Sequence, residues 1–231
     1  MTIPIKIISK KEFGENPNQE EVWDEVSELW LGFRVKPIPI VEEFLMKVSS
    51  EFENSEKCKI IDLGSGSGRN MIKNEGAEYY EVDFSGKQLE AGKRKAEQEK
   101  INAKFFKIKA DRLPFEDEFF DSGLFIAALH CIEDEAERLS SLKEFYRVLK
   151  KDVEAMISVW DAEDGRFSEK GKEVYMEWKV NDVPYMRYYY LYNKKEIIDL
   201  LEKVGFEILE VYEPREKDRF SRKNLILRIK K

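Results

Sequence analysis

The sequence predicts one doubly wound α/β domain: a mostly parallel, seven-stranded sheet with helices on both faces, preceded by a helical extension. Three observations carry the prediction. Short apolar runs alternate along the chain with stretches whose apolar residues recur at helical spacing. Strands that alternate with helices pair in parallel, because a parallel neighbour is reached only through a long crossover. Finally, 231 residues with 42% hydrophobic content suffice for one such core and are too few for two.

In residues 20–48, Val22, Val26, Leu29 and Trp30, then Val41, Phe44, Leu45 and Val48, mark two helices parted by Pro37 and Pro39. Residues 58–63 (CKIIDL) form a β-branched run that stops at glycines and reads as a buried parallel strand. A helix should follow the glycines, then a strand at 78–82 and a helix opened by Ser85, with Gln88 completing a capping box. Strands follow at 104–108 and 120–126. The next helix aligns Leu139, Leu142, Phe145 and Leu149, and a strand at 155–160 closes the unit. The last third reads as a strand at 185–192, a helix at 197–204 stopped by Gly205, and strands at 206–212 and 225–229. Residues 161–184, where charges, Gly165, Gly171 and Pro184 interrupt any period, are expected to be a loop or lid. The chain thus divides into a helical extension (1–56), a ligand-binding core (57–160), and a lid with substrate-side strands (161–231).

Cys58 and Cys131 lie in different elements and form no ligand cluster, so neither a disulfide framework nor a metal site is implied. No apolar run approaches a signal peptide or membrane span, which points to the cytoplasm. A net charge of −7 argues against nonspecific nucleic-acid binding by the whole surface. Residues 213–231, however, carry eight basic residues against three acidic ones. That tail is either an RNA contact or an edge strand protected by lysines.

Residues 60–70 (IIDLGSGSGRN) place Gly64, Gly66 and Gly68 directly after a strand, where missing side chains let backbone amides close on a ligand. The spacing is G-x-G-x-G, with Arg69 where a dinucleotide site would be expected to have its third glycine, which disfavours NAD. Asp83 ends the next strand, where a carboxylate can accept hydrogen bonds from both ribose hydroxyls, and Asp111 follows the third. Three successive strands therefore end in an acid at the edge where open α/β sheets bind ligands.

The D-L-G-x-G-x-G loop, the position of Asp83 and the A-D-x-L-P-F segment resemble those of class I S-adenosylmethionine methyltransferases over 58–160. That resemblance implies a Rossmann-like fold and S-adenosylmethionine as cofactor, with S-adenosylhomocysteine as product. It further implies that Asp62 and the backbone of Gly64, Ser65, Gly66 and Gly68 hold the methionine end, and Asp83 the ribose. Asp111 and the Arg112 and Leu113 backbone would hold the adenine, with Phe84 and Ala127 completing the set.

Segments outside that core, VWDEVSELWLGFRVKPIPIVEEFL (22–45), IAALH (126–130), SVWD (158–161), RYYYLY (187–192) and SRKNLILRIKK (221–231), resemble the tRNA wobble-uridine carboxymethyl methyltransferases. That family esterifies the carboxylate of 5-carboxymethyluridine in a tRNA anticodon and typically works with a small zinc-binding activator protein, so both partners are implied. Arg34 and Lys36, in the R-x-K-P segment, and Arg187 with Tyr188, in R-Y-Y, become candidates to orient the acceptor. His130 falls where the acceptor would face the methyl group. The chain departs from the family at Cys131, which replaces a second histidine, at KPIP (36–39) for K-P-W-P, and at Leu225 and Ile226 for an aromatic pair. Two other readings stay open: a small-molecule methyltransferase of the same fold, and a noncatalytic scaffold subunit.

Overall fold

The computed structural model describes residues 6–33, 36–52, 56–213, 220 and 223–231. Its elements run β1 (Ile7–Ser9), α1 (Lys10–Phe13), α2 (Gln19–Phe33), α3 (Pro39–Ser49), β2 (Cys58–Leu63), β3 (Ala77–Asp83), α4 (Gly86–Glu99), β4 (Ala103–Lys107), β5 (Ser122–Ile126), α5 (Glu135–Val148), β6 (Glu154–Trp160), β7 (Glu173–Val180), β8 (Val183–Tyr190), α6 (Lys194–Val204), β9 (Glu207–Val211) and β10 (Asn224–Lys230). Seven strands form one sheet in the order β4-β3-β2-β5-β6-β10-β9. Pairing is parallel from β4 to β6, and β10 enters antiparallel to both β6 and β9.

Side chains alternate across a strand, so each strand of a doubly covered sheet supplies two cores. Ile61 and Leu63 of β2 face one side, with Leu142, Phe145 and Val148 of α5 and Ile197 and Leu201 of α6. Cys58 and Ile60 face the other, with Val41, Phe44 and Leu45 of α3 and Ala96 of α4. Helices on both faces, as expected from the alternation, thus follow from near-continuous apolar strands.

Four expectations are corrected. No helix follows the glycine loop: residues 64–76 are turns and irregular chain. Gly64, Gly66 and Gly68 all take left-handed φ values (+71°, +57° and +67°), so the first five residues cannot wind a right-handed helix, and too few remain before β3. The expected lid at 161–184 contains a strand, β7, which pairs antiparallel with β8 and β1 in a second, three-stranded sheet. Asn181 and Asp182 both have positive φ and link Val180 to Val183, a two-residue hairpin turn of the kind Asn and Asp favour. The strand expected at 185–192 belongs to this sheet, as β8. Finally, β10 is no edge strand, because β9 lies outside it; residues 214–219 and 221–222, with four of the tail's eight basic side chains, lie outside the described residues.

The second sheet is fixed over the end of the main one by apolar packing and by α2. Trp160, at the end of β6, packs with Trp23 and Val26 of α2, Val174 and Met176 of β7, and Tyr189 of β8. The Gln19 side chain accepts the Tyr188 N–H at 2.9 Å and donates to the Met186 carbonyl at 3.2 Å, tying α2 to β8. Farther along α2, Asp24 accepts the Lys87 N–H at 3.2 Å at the start of α4. One helix therefore bridges the two halves of the molecule. Among the described residues, no helix is long and apolar enough to cross a membrane.

Candidate active site

A cleft of about 1760 Å³ opens between the carboxyl edge of the main sheet and the second sheet. Its first wall is the glycine loop. Gly64 and Ser65 donate their N–H groups to the Val82 carbonyl at 2.7 and 3.1 Å, and Gly66 donates to Asp83 Oδ2 at 2.8 Å. A Cβ on Gly64 would lie 2.3 Å from the Ala128 Cβ, in a backbone conformation that already disfavours one. Gly64→Ala is accordingly expected to lower stability by about 3 kcal/mol in urea unfolding. Adding Ala128→Gly should return the steric part of that loss and leave the backbone part.

The acids that end the strands behave differently. Asp83 is buried, and its Oδ1 accepts the Ser85 N–H at 2.8 Å. Burial raises its pKa to about 6, against the lowering effect of the Ser85 and Gly66 N–H groups. Asp62 does not line the cleft; it is buried beneath the loop opposite Glu81 in the β2–β3 register. Burial, with Asp83 nearby, lifts Asp62 to about 7 despite the Asn70 side chain, and burial lifts Glu81 well above the usual carboxylate range. Asp111 lines the cleft directly.

The facing wall is aromatic and cationic. Trp160 and Tyr189 stack with centroids 3.9 Å apart, and His130 lies against both at 5.2 and 5.7 Å. Arg187, 1% exposed, places its guanidinium 4.9 Å from the Trp178 ring centroid, 5.5 Å from Tyr189 and 5.6 Å from Trp23. Arg166, held by Asp164 at 3.0 Å, lies over Trp160 and Phe167 at 5.1 and 4.8 Å. Burial alone pushes His130 down to about 3, so its imidazole is neutral at working pH. The rate–pH profile is therefore expected to show no imidazole inflection near 6.5, and His130→Phe should leave its shape unchanged. An inflection lost in that variant would contradict a neutral role.

Among the residues expected from sequence, Gly64, Ser65 and Gly66 line the cleft with Asp83 and Phe84, as do Asp111, Ala127, His130 and Arg187. Ala127 directly follows β5 with φ +54°, its N–H donated to Ser158. Gly68 does not line the cleft, although its neighbours Ser67 and Arg69 do. The expectation for Arg112 and Leu113 is corrected: neither lines the cleft, and the Leu113 N–H is committed to Glu144 Oε2 at 2.7 Å. Tyr188 is corrected too. Period-two alternation along β8 turns it away from Arg187 and Tyr189, and its hydroxyl donates to Glu173 at 2.7 Å. Lys36 is exposed, and its carbonyl accepts from Arg69 Nε at 2.7 Å; Arg34 lies outside the described residues. Arg166 and Trp178 were not anticipated, because both fall in the stretch expected to be a loop. The alternation of Val174, Met176, Trp178 and Val180 before the Asn-Asp turn is the signal that could have found Trp178.

Residues 61–157 match a family described as a methyltransferase domain. The tRNA (carboxymethyluridine(34)-5-O)-methyltransferase of Schizosaccharomyces pombe is 26% identical over 223 residues, covering 85% of this chain and 91% of the relative. The Arabidopsis thaliana protein of the same name is 27% identical over 142 residues, 62% of this chain, and the match spans only 32% of that longer protein. Among solved structures, the PH0226 protein from Pyrococcus horikoshii OT3 has a TM-score of 0.66 at 21% identity, covering 84% of this chain and 89% of the other. A Burkholderia thailandensis 1,6-didemethyltoxoflavin-N1-methyltransferase, solved with S-adenosylhomocysteine, has a TM-score of 0.58 at 16% identity, covering 94% of this chain and 92% of the other. These structural likenesses establish the fold. That fold is the class I, Rossmann-like one, and the methyltransferase-domain match over residues 61–157, with the glycine loop and the acids along the cleft, makes the chain an S-adenosylmethionine-dependent methyltransferase.

Proposed function

We propose that this enzyme methylates the carboxylate of 5-carboxymethyluridine at the wobble position of tRNA, with a small zinc-binding protein as activator. The reading rests on the similarity to the Schizosaccharomyces pombe enzyme and on one observation above all: the buried Arg187, set among Trp178, Tyr189 and Trp23 on the wall across from the glycine loop. An arginine fork suits a carboxylate, and aromatic faces beside it suit a splayed base. The cleft also exceeds the roughly 300–1,000 Å³ usual for one small ligand, leaving room for cofactor and nucleotide together.

The residues present fit the cofactor. Gly66 has open space on its cleft side, where a Cβ would meet only Gln88 Oε1 at 3.7 Å, so the loop can be approached closely. Asp83 would hold the ribose hydroxyls, Asp111 the adenine end, and the Gly64 to Gly66 backbone the methionine end, with Phe84 and Ala127 beside them. The acidic rim suits a cationic ligand. Bound S-adenosylmethionine supplies an electrophilic methyl group on a sulfonium centre.

An acceptor carboxyl with a pKa near ~4 is already ionised at pH 7, so no general base is required. This agrees with a histidine held neutral by burial. The chain's task is then alignment and exclusion of water. Arg187 would orient the carboxylate, His130 and Tyr189 would flank the base, and Arg34 and Lys36 would contact neighbouring phosphates. The test is transfer of radiolabelled methyl to tRNA bearing carboxymethyluridine, with and without the activator. Label released by mild base at the wobble nucleotide supports the proposal; base-stable label, or label only on small acids, overturns it.

A further inference from the structure

We infer that Lys95 is the positioning residue of the cofactor loop, its ammonium replacing the hydrogen-bond donors that a helix after β2 would have supplied. The loop is anchored in front by β3, through the Val82 carbonyl and Asp83. Farther along the chain, residues 68–71 form a turn, with Gly68 N–H donating to the Ser65 carbonyl and Met71 N–H to that of Gly68. Helical carbonyls here would accept from N–H groups four residues on; without the helix another donor must reach them. Lys95 does so from α4, donating from Nζ to the carbonyls of Gly68 at 2.8 Å, Arg69 at 3.2 Å and Met71 at 2.8 Å. An ammonium has three donors and no acceptor, so this set uses its full capacity.

The placement is built into the helix. Gln88, Ala91, Gly92 and Ala96 form the buried stripe of α4, and Lys95 borders it at helical spacing, partly buried. Burial lowers the pKa of Lys95, the charges of Glu99, Glu81 and Asp62 act against that lowering, and Arg69 adds to it. Below the loop, then, a cation faces two buried acids while its protons hold three backbone oxygens. The amides of Ser65 and Gly66 on the cleft side are continuous with that turn. Fixing the carbonyls of 68–71 fixes where those amides sit, and Lys95 does this without touching the cofactor.

The test is binding of S-adenosylhomocysteine by calorimetry to Lys95→Met, Lys95→Gln, Lys95→Arg and, as control, Lys93→Met. Lys93 is exposed on the same helix and pairs with Glu90 within the turn, at 2.6 Å. The Kd is expected to rise about tenfold or more in Lys95→Met, less in Lys95→Gln and least in Lys95→Arg, with Lys93→Met unchanged. In assays with acceptor, KM for S-adenosylmethionine should rise while kcat stays within about threefold, a split that general destabilisation would not produce. Lys95→Gln keeps a donor and retains the measurement should Lys95→Met not fold. Unchanged Kd in a folded Lys95→Met or Lys95→Gln protein, or equal loss in Lys95→Arg and Lys95→Met, would overturn the inference.

Discussion

Asp83→Ala is expected to weaken S-adenosylmethionine binding by about 100-fold or more, because two charge-assisted hydrogen bonds to ribose hydroxyls would go at once. The same substitution frees the N–H groups of Gly66 and Ser85, which Asp83 holds at 2.8 Å each, so the loop loosens as well. Asp83→Asn, which keeps an acceptor but no charge, should fall between the two. The pH dependence has a definite sign. Burial places the pKa at about 6, so the carboxylate takes up a proton as the pH falls through that value. A protonated group loses an acceptor, and cofactor affinity should therefore decline from pH 7 to 5 with release of a proton on binding near pH 6. In Asp83→Asn the slope should be shallower by one proton. Calorimetry in buffers of different ionisation enthalpy reads both quantities.

Arg187→Gln is expected to lower turnover on tRNA by about 100-fold while leaving the S-adenosylhomocysteine Kd within about threefold. The guanidinium lies among Trp178, Tyr189 and Trp23, in the aromatic cluster that joins α2 to the second sheet, so the loss is expected to fall on the acceptor side. Removing it also loses stacking of about 1–2 kcal/mol, and a lower thermal midpoint should accompany the change. Arg187→Lys restores the charge but not the planar fork, and should recover only part of the rate. Equal loss of cofactor and acceptor binding in Arg187→Gln would contradict this division of the cleft.

The parallel half of the fold was legible because its signals are local. CKIIDL, the Asp83 strand and the run ending at Trp160 are each continuous apolar segments with punctuation at both ends, and they fall within about two residues of β2, β3 and β6. The Ser85 cap was equally readable, and its Oγ accepts the Gln88 N–H at 3.2 Å, but the expected capping box is only half formed, because the Ser85 N–H donates to Asp83 and not to the Gln88 side chain. What escaped depends on distant partners. Strand β7 gains its place from pairing with β8 and β1, and its alternation was obscured by the charges and glycines before it. The missing helix after β2 escaped because a glycine loop is usually followed by one. Here three left-handed glycines and the reach of Lys95 make it dispensable.

At the site, a place near a strand end did not by itself decide where a side chain faces: Asp62, next to the end of β2, is buried beneath the glycine loop and does not line the cleft. Asp83, Asp111 and Ala127 line the cleft. Errors arose where a whole motif was carried over as a unit. Arg187, Tyr188 and Tyr189 cannot all face one way in a strand, and Tyr188 points toward Glu173 instead. Leu113 likewise spends its N–H on Glu144, a partner 31 residues away that no short motif reveals.

The most direct measurement is nucleoside mass spectrometry of tRNA bearing carboxymethyluridine, incubated with S-adenosylmethionine, the zinc-binding activator and either wild-type enzyme or Asp83→Ala. The predicted result is conversion of carboxymethyluridine to its methyl ester by the wild type alone, reversed by mild alkali. Unchanged carboxymethyluridine with wild-type enzyme that binds S-adenosylmethionine, or a methyl group on another nucleoside, would contradict the proposed acceptor.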